Sequence, residues 1–283
     1  MKPVVAIVAA GNMGAGVARR LVEHDVKVLT SLTGRSPASV ERAEAAGMVS
    51  VSADALVEAD LLLSIVPPAN ALSFAEQIGF ALKSAKKKPV FVDCNAVNPA
   101  TVRHIHAVIT ATGTEFVDAG IIGFPPVPGA TSGPRIYASG DHAIKLSALA
   151  QYGLDVRVLD GPIGAASALK MAYAGISKGH IAIFAAMVLA AERAGTGEAL
   201  RQELVYSEPT MLATMAKRVP GMFPKAYRWV AEMQEIAEFA GEDAAAHDMW
   251  TAISQLYERL AEDTASDKDE VDTLARFFSP RDV

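Results

Sequence analysis

The first pattern with a recognisable chemistry is a glycine turn near the N-terminus. Residues 9–14 read Ala-Ala-Gly-Asn-Met-Gly and follow the apolar run Val4–Val8. They match the dinucleotide-binding pattern Gly-x-Gly-x-x-Gly with alanine at the first position. Gly11 would let the backbone approach a pyrophosphate, and Gly14 would let the following helix pack closely on the strand. We therefore expect the phosphates to be bound at a helix N-terminus by the backbone of five residues: Ala10, Gly11, Asn12, Met13 and Gly14.

The segment after the second apolar run carries hydroxyls and a guanidinium but no carboxylate. In dinucleotide-binding folds an acidic residue at this place contacts the adenosine ribose of NAD. Between Val28 and Pro37 the sequence has no Asp or Glu and offers Thr33, Arg35 and Ser36 instead. Because a guanidinium can donate two hydrogen bonds to phosphate oxygens, these residues favour the 2′-phosphate of NADP over NAD. An exposed loop arginine without this role is the alternative.

Other chemistries lack the residues that they require. The single cysteine, Cys94, excludes a disulfide framework and Cys-based zinc or iron–sulfur sites, and no histidine is placed to activate it. His104 and His106 lie two residues apart on a predicted helix and point to different faces, so we predict no metal site. No Gly-x-Ser-x-Gly pattern supports a serine hydrolase. Asp93 and Asp118, at predicted strand ends, are interpreted as residues that cap loops.

The residues of the glycine turn must be positioned by an α/β domain. Through residue 159, short apolar runs alternate with helical patterns, which predicts a parallel sheet covered by helices on both faces. The predicted strands are Val4–Val8, Val26–Leu29, Met48–Val51, Leu61–Val66, Pro89–Val92, Glu115–Asp118, Arg135–Ala138 and Val156–Leu159. Beyond residue 160 the chain is rich in alanine and methionine and predicts helices only. The predicted fold class is α/β, with a doubly wound, mostly parallel Rossmann sheet over residues 1–160 and an all-α domain over residues 161–283.

Composition and charge limit the partners. The 283 residues are 51% hydrophobic, which is enough for a buried core and too apolar for a disordered chain. The net charge is −6, so the chain lacks the overall positive charge that is typical of nucleic-acid-binding proteins. Residues 175–194 are apolar, but Lys178, His180, Glu192 and Arg193 interrupt or bound the run, which favours a buried helix over a membrane span. We expect a soluble, cytoplasmic protein that binds small molecules and neither nucleic acid nor membranes.

Five short segments, read in order along the chain, carry a family resemblance. They are the glycine turn, Val66-Pro67-Pro68, residues 93–99 (Asp-Cys-Asn-Ala-Val-Asn-Pro), residues 118–124 (Asp-Ala-Gly-Ile-Ile-Gly-Phe) and residues 164–170 (Gly-Ala-Ala-Ser-Ala-Leu-Lys). Together they resemble the β-hydroxyacid dehydrogenase superfamily, which includes 3-hydroxyisobutyrate and 6-phosphogluconate dehydrogenases. The most similar branch has a helical C-terminal domain like that of 6-phosphogluconate dehydrogenase. The resemblance implies that Val66, Pro67 and Asn95 lie beside the cofactor and that Lys170 is the catalytic lysine.

The chain departs from the family pattern at the positions that would touch the substrate. Ile122 stands where the family has a serine in its substrate loop, and Phe124 replaces the second glycine. Relative to 6-phosphogluconate enzymes, Tyr173 replaces a histidine and Ser177 replaces the acidic proton donor, which argues against a phosphosugar acid as substrate. The segment that begins with Ile122, Gly123 and Phe124 is apolar and implies a substrate with a hydrophobic portion.

Lys170 is the predicted proton donor or acceptor in a hydride transfer. It lies near the start of a mostly apolar helix, where removal from water favours the uncharged amine, and in either charge state it could stabilise a developing alkoxide. The 3.6-residue period places Tyr173 and Ser177 on the same helix face, so both are predicted substrate contacts. Asn95 is predicted to orient the substrate or the nicotinamide amide. The alternatives are a lysine that extends to solvent, a packed tyrosine and serine, and a turn-forming asparagine.

These features predict an NADP-dependent dehydrogenase or reductase whose active site lies in the crevice between the two domains, at the carboxyl ends of the strands. Because family members pair through the helical domain, the resemblance also implies a homodimer. Two alternatives stay open. An imine reductase would use the same scaffold to reduce a C=N bond. A protein that senses a dinucleotide without catalysis is compatible with Ile122 and Ala174, which replace the family's serine and asparagine.

Overall fold

The computed structural model describes residues 2–279. The chain forms two compact units, the first ending at Met171 and the second beginning at Ala172. This division falls inside helix α6 (Ala165–Arg193), later than the boundary at residue 160 that composition suggests. The reason is that the first turns of α6 pack closely on a strand of the first unit, at Gly120.

The first unit is built on one eight-stranded sheet with the strand order β3-β2-β1-β4-β5-β6-β7-β8. The strands are β1 (Val4–Val8), β2 (Lys27–Thr30), β3 (Val49–Ser50), β4 (Leu61–Ser64), β5 (Val90–Asp93), β6 (Phe116–Ile122), β7 (Arg135–Ser139) and β8 (Asp155–Val158). All neighbouring strands are parallel except β6 and β7. This confirms the predicted fold class. In sheets with this order ligands bind where the order reverses, here between β1 and β4.

Helices cover both faces of the sheet because successive strand residues point to opposite sides. On one face Val5 and Ile7 belong to a buried cluster with residues of the N-terminal helices. On the other face Ala6 and Val8 belong to a separate buried cluster. The helices of the first face are α1 (Asn12–Val22), α2 (Pro37–Ala45) and α5 (Ile144–Ser147). Those of the second face are α3 (Ala71–Ser84) and α4 (Pro99–Thr110).

Strand β6 is longer than its sequence pattern indicates. The predicted strand ends at Asp118, whereas β6 continues to Ile122. The antiparallel partner β7 explains the extension, since Ile122 pairs with Arg135 at the end of the ladder. Ile122 is therefore the last residue of a strand.

The second unit is helical throughout its described residues. It contains the rest of α6, followed by α7 (Gly197–Ser207), α8 (Pro209–Arg218), α9 (Ala226–Phe239), α10 (Ala244–Ala265) and α11 (Asp269–Phe278). Trp250 of α10 packs on two glycines of α6: a Cβ added at Gly175 or Gly179 would lie 3.2 or 2.7 Å from the indole ring. These small residues let α6 and α10 approach closely.

A polar cluster joins α6 to α9 and α10 within this unit. The Lys178 ammonium forms an ion pair with Glu232 and lies 4.9 Å from the ring centroid of Trp229. The Tyr257 hydroxyl donates a 2.6 Å hydrogen bond to the Lys178 carbonyl. Both charged side chains are largely buried, so the pair belongs to the packing of the three helices.

Among residues 2–279, α6 alone is long and apolar enough to cross a membrane by length and composition. Of its most apolar window, 44% is buried inside the protein. A core helix of a globular protein meets the same criteria, so the feature is weak support for a membrane span.

Candidate functional site

The glycine turn forms an open cradle between β1 and α1. Helix α1 begins at Asn12, no side chain caps its N-terminus, and its first turn has no acidic residue. A Cβ added at Gly11 would meet nothing within 4 Å, whereas one at Gly14 would overlap the Ala9 carbonyl oxygen. The predicted phosphate-binding residues lie together here, with Ala10 buried, Met13 half-buried, and Gly11 and Asn12 exposed. First-turn amide groups with open space beside Gly11 fit a dinucleotide pyrophosphate.

The predicted adenosine contacts lie in the exposed segment between β2 and α2. Thr33, Arg35 and Ser36 are all exposed there. A second guanidinium approaches the glycine turn from α2: Arg42 Nε donates a 3.1 Å hydrogen bond to the Ala10 carbonyl. Its Nη2 donates to Ser39 Oγ at 3.0 Å. Sequence inspection misses Arg42 because only the packing of α2 brings it to the cradle, although its spacing of three residues from Ser39 places both on one helix face.

The carboxyl ends of β4 and β5 are joined through Asn95. Its Oδ1 accepts a 2.7 Å hydrogen bond from the Val66 amide, and its Nδ2 donates to Ser64 Oγ (3.0 Å) and to Asp93 Oδ2 (2.9 Å). Asn95 is only 2% exposed. It therefore fixes the segment of Val66 and Pro67, and its predicted contact with the substrate or the nicotinamide stays a prediction.

Asp93, one of the hydrogen-bond partners of Asn95, has an unusual electrostatic environment. It is buried, and desolvation raises the pKa of its carboxyl to about 7, with hydrogen bonds from Asn95 opposing the shift. The Asp93 carboxyl group accepts a 3.0 Å hydrogen bond from the backbone N–H of Asn95, in addition to the one from the Asn95 side chain. Burial likewise raises the pKa of the neighbouring Cys94 thiol well above its ordinary value.

Lys170 lies in the second turn of α6, over β6. A Cβ added at Gly120 would be 3.0 Å from Lys170 Cβ and 2.8 Å from the Ala166 carbonyl oxygen, so only glycine lets helix and strand approach this closely. Lys170 is half-buried. Within the described chain its ammonium has no hydrogen-bond or ion-pair partner. The backbone of Lys170 is thus held against the sheet while its amine stays available.

Asp118, on β6 two residues before Gly120, is completely buried. Its Oδ2 accepts hydrogen bonds from the amides of Gly164, Ala166 and Ser167 at 2.8, 3.1 and 3.2 Å. Its Oδ1 accepts from Ser167 Oγ at 2.6 Å. Asp118 therefore caps the first turn of α6, and no local sequence signal links it to Gly164, the residue before this helix, which lies 46 residues later in the chain.

The predicted substrate wall follows β6. Ile122 is half-buried, Gly123 turns the chain with φ of +129°, and Phe124 and Val127 are 82% and 64% exposed. The loop packs on α1, since a Cβ added at Gly16 would be 2.8 Å from Pro126 Cδ. The apolar loop therefore packs on the helix whose N-terminus follows the glycine turn.

Arg20 of α1 secures the far end of this loop. Its side chain is buried, donates to the Ala130 carbonyl, and lies 3.4 Å from the Gly153 carbonyl oxygen. One helix thus carries the glycine turn at its start and holds the apolar loop along its length.

Two predicted substrate contacts lie further along α6, in the second unit. Tyr173 is exposed, and Ser177 is half-buried with its Oγ donating to the Ala174 carbonyl at 3.3 Å. Their contact with substrate stays a prediction. Within residues 2–279 no group of three or more His, Cys, Asp or Glu side chains could hold a metal ion.

Comparison with protein families assigns the first unit. Residues 4–151 match the NAD binding domain of 6-phosphogluconate dehydrogenase, a match over more than half of the chain. The chain belongs to the β-hydroxyacid dehydrogenase superfamily. Residues 191–260 match a domain of unknown function (DUF1932). The glycine turn, Asn95 and Ile122 of this superfamily member lie within the first match, and Lys170 lies between the two.

Individual relatives agree with this membership. An uncharacterised 28.5 kDa protein of Methanothermus fervidus is 30% identical over 217 residues, covering 76% of this chain and 82% of its own. Human mitochondrial 3-hydroxyisobutyrate dehydrogenase is 26% identical over 228 residues, covering 78% of this chain and 63% of that enzyme. A solved structure of a conserved protein of unknown function, described as structurally similar to 3-hydroxyacid dehydrogenases, has a TM-score of 0.69 at 31% identity and covers 95% of this chain and 98% of its own. The family resemblance drawn from five short segments is thereby confirmed.

Proposed function

We propose that this protein is an NADP-dependent oxidoreductase that transfers a hydride between the nicotinamide and a small carbonyl or hydroxy compound with an apolar portion. Membership of the superfamily makes the chain an NAD(P)-dependent oxidoreductase in general terms. The preference for NADP, the substrate class and the role of Lys170 belong to the proposal. One observation carries it: a dinucleotide-binding sheet holds a lysine backbone against β6 while leaving the ammonium uncommitted.

The residues of the first unit fit the two ends of a dinucleotide. The first-turn amides of α1 would bind the pyrophosphate, and the Val66–Pro67 segment, fixed by Asn95, would lie along the nicotinamide half. Arg35 and Arg42 are the candidate ligands of a 2′-phosphate, because guanidinium groups pair well with phosphate oxygens. When bound, the dinucleotide supplies or accepts the hydride.

Lys170 would handle the proton that accompanies the hydride. During reduction its ammonium gives a proton to the carbonyl oxygen as the C–O bond becomes single. During oxidation the neutral amine takes the hydroxyl proton back. Until the proton is transferred, the positive charge of the Lys170 ammonium would stabilise the alkoxide that develops as the hydride arrives.

The loop after β6 would select the substrate. The apolar side chains of Phe124 and Val127 are exposed to solvent, and the packing of their loop on α1 keeps them near the glycine turn. Covering exposed apolar side chains with an apolar substrate is favourable by about 25 cal/mol per Å² of apolar surface removed from water. This supports a hydrophobic portion in the substrate.

A homodimer is also part of the proposal, and the exposed face of α6 supports it. Five exposed residues recur there at alternating spacings of three and four residues, the spacing of side chains that form the contact between two helices packed along each other. They are Tyr173, Ile176, His180, Ile183 and Met187. A second copy would supply a matching seam. Sedimentation of the wild type and of Ile183→Glu should show a dimer and a monomer respectively; a monomeric wild type would contradict this part.

Cofactor binding is tested first, by thermal unfolding with NADPH or NADH. NADPH should raise the unfolding temperature more than NADH at equal concentration. Equal shifts, or a larger NADH shift, would contradict the assignment of Arg35 and Arg42.

Catalysis is tested with NADPH consumption on an aldehyde, a β-keto acid and a cyclic imine. Lys170→Met should lose turnover while keeping NADPH protection, and Lys83→Met, at an exposed lysine of α3, is the matched control. Full turnover by Lys170→Met would remove the lysine from the mechanism. Reduction of the imine alone would assign a C=N reductase, and strong NADPH protection without consumption across the set would assign a dinucleotide sensor.

A further inference from the structure

Helix α6 begins where a local cap is impossible. The residue before Ala165 is Gly164, which has φ of +104° and no side chain. Helices usually satisfy their first amides with a Ser, Thr, Asp or Asn at this place, and losing such a cap costs about 1 kcal/mol. The helix that carries Lys170 therefore depends on a group from elsewhere in the chain.

Asp118 supplies that group with a geometry that suits a carboxylate. Three backbone amides of α6 and its preceding glycine converge on Oδ2, which also accepts from Ser139 Oγ at 2.9 Å. All the hydrogen-bond partners of Asp118 in the described chain are donors, and an ionised carboxylate is an acceptor at both oxygens. In the described chain no Lys, Arg or His forms an ion pair with Asp118. The amides and the positive end of the helix dipole stabilise the charge instead.

The same strand sets the height of the helix above the sheet. Gly120 lies two residues after Asp118, so both side-chain positions point to the same face of β6. At Gly120 the backbone of α6 approaches so closely that a Cβ would be 2.8 Å from the Ala166 carbonyl oxygen. Asp118 holds the start of the helix, and Gly120 allows the close contact one turn later, at Lys170.

We propose that Asp118 is a positioning residue of the reaction, which fixes the place of the Lys170 amine by clamping the first turn of α6 to β6. The inference rests on the proposed function of Lys170. Asp118 does not touch the reacting atoms; it removes the freedom of the helix start to tilt or fray. Misplacement of a reacting group by about 1 Å can cost on the order of 100-fold in rate, so a modest loosening of this turn should be visible in kcat.

The test is a double-mutant cycle between Asp118→Asn and Lys170→Met, run on the substrate that the wild type turns over best. Asp118→Asn keeps the shape and removes the charge. It should lower kcat at least about tenfold, with KM for NADPH changed less than about twofold, and have no further effect in the Lys170→Met background. An equal loss in both backgrounds, or an unchanged kcat, would overturn the proposal. The control is Thr114→Val, which removes a buried hydroxyl near the opposite end of β6 and should leave kcat unchanged.

Hydrogen exchange of the full chain without ligand gives a readout that needs no substrate. In Asp118→Asn the amides of residues 166–171 should exchange at least about tenfold faster than in the wild type, and in Thr114→Val they should not. Unchanged exchange would overturn the clamp itself. If exchange rises but Lys170→Met keeps full turnover, the clamp stands and the catalytic assignment of Lys170 falls, so the two failures are distinguishable.

Discussion

Replacing either of two glycines in the glycine turn by alanine should affect a different property of the protein. Gly14→Ala should lower the stability of the fold, and Gly11→Ala should weaken NADPH binding. At Gly14 a new Cβ would overlap the Ala9 carbonyl oxygen and lie 3.2 Å from the carbonyl carbon, so the strand or the helix must move. At Gly11 the new Cβ would meet nothing within 4 Å, and the backbone has the ordinary values φ −72° and ψ 179°. Gly14→Ala is therefore a test of packing, and Gly11→Ala is a test of ligand space.

The expected magnitudes follow from these contacts. Overpacking against backbone costs about 1–3 kcal/mol, so Gly14→Ala should lower the free energy of unfolding by that amount. Gly11→Ala exchanges an acceptable helix cap for a poorer one and should cost no more than about 1 kcal/mol. NADPH at 100 times its dissociation constant stabilises the wild type by about 2.7 kcal/mol, and a tenfold loss of affinity in Gly11→Ala would remove about 1.4 kcal/mol of this stabilisation.

The assay is urea unfolding of both variants and the wild type, with and without NADPH at one fixed concentration. Full NADPH stabilisation of Gly11→Ala would refute the approach of the pyrophosphate to Gly11. Wild-type stability of Gly14→Ala without ligand would refute the close contact between α1 and β1.

Three further predictions concern buried polar groups. Because the Asp93 pKa is raised from 3.8 to about 7, the folded state binds the extra proton between these values, and stability falls as pH rises through this window. The difference is on the order of 4 kcal/mol, so the stability of Asp93→Asn relative to the wild type should rise between pH 4 and pH 8 in urea titrations, and a constant difference would contradict the burial of a protonated carboxyl. The Cys94 thiol, buried with a raised pKa, should resist a thiol reagent in the native protein at neutral pH and react in urea, whereas rapid native labelling would show that it is accessible. Lys178→Met leaves the buried Glu232 carboxylate without this ammonium and should cost about 3 kcal/mol, most of it recovered in Lys178→Met with Glu232→Leu; equal stability of the single and double variants would contradict the coupling.

Much of the first unit could be predicted because its signals are local. The strand predicted at Val4–Val8 has the same bounds in the structure, and the one predicted at Leu61–Val66 forms over Leu61–Ser64. The glycine turn lies between β1 and α1, where its pattern predicts it. The end of β6 was not predictable in this way. Its last residues pair with β7, and pairing depends on a partner strand beyond the window that a local pattern covers.

The candidate site divides along the same line. The sequence by itself determined the chemical inventory: a glycine turn, arginine and hydroxyls in place of an acidic ribose ligand, a lysine at the start of an apolar helix, and an apolar segment after β6. Only the tertiary structure decided which of these groups are held and by what. Arg42 reaches Ala10, Asn95 fixes Val66, and Asp118 binds the amide of Gly164, 46 residues away, at the start of α6. Strand register and helix packing bring these distant residues within hydrogen-bond reach, and no short stretch of sequence encodes that proximity.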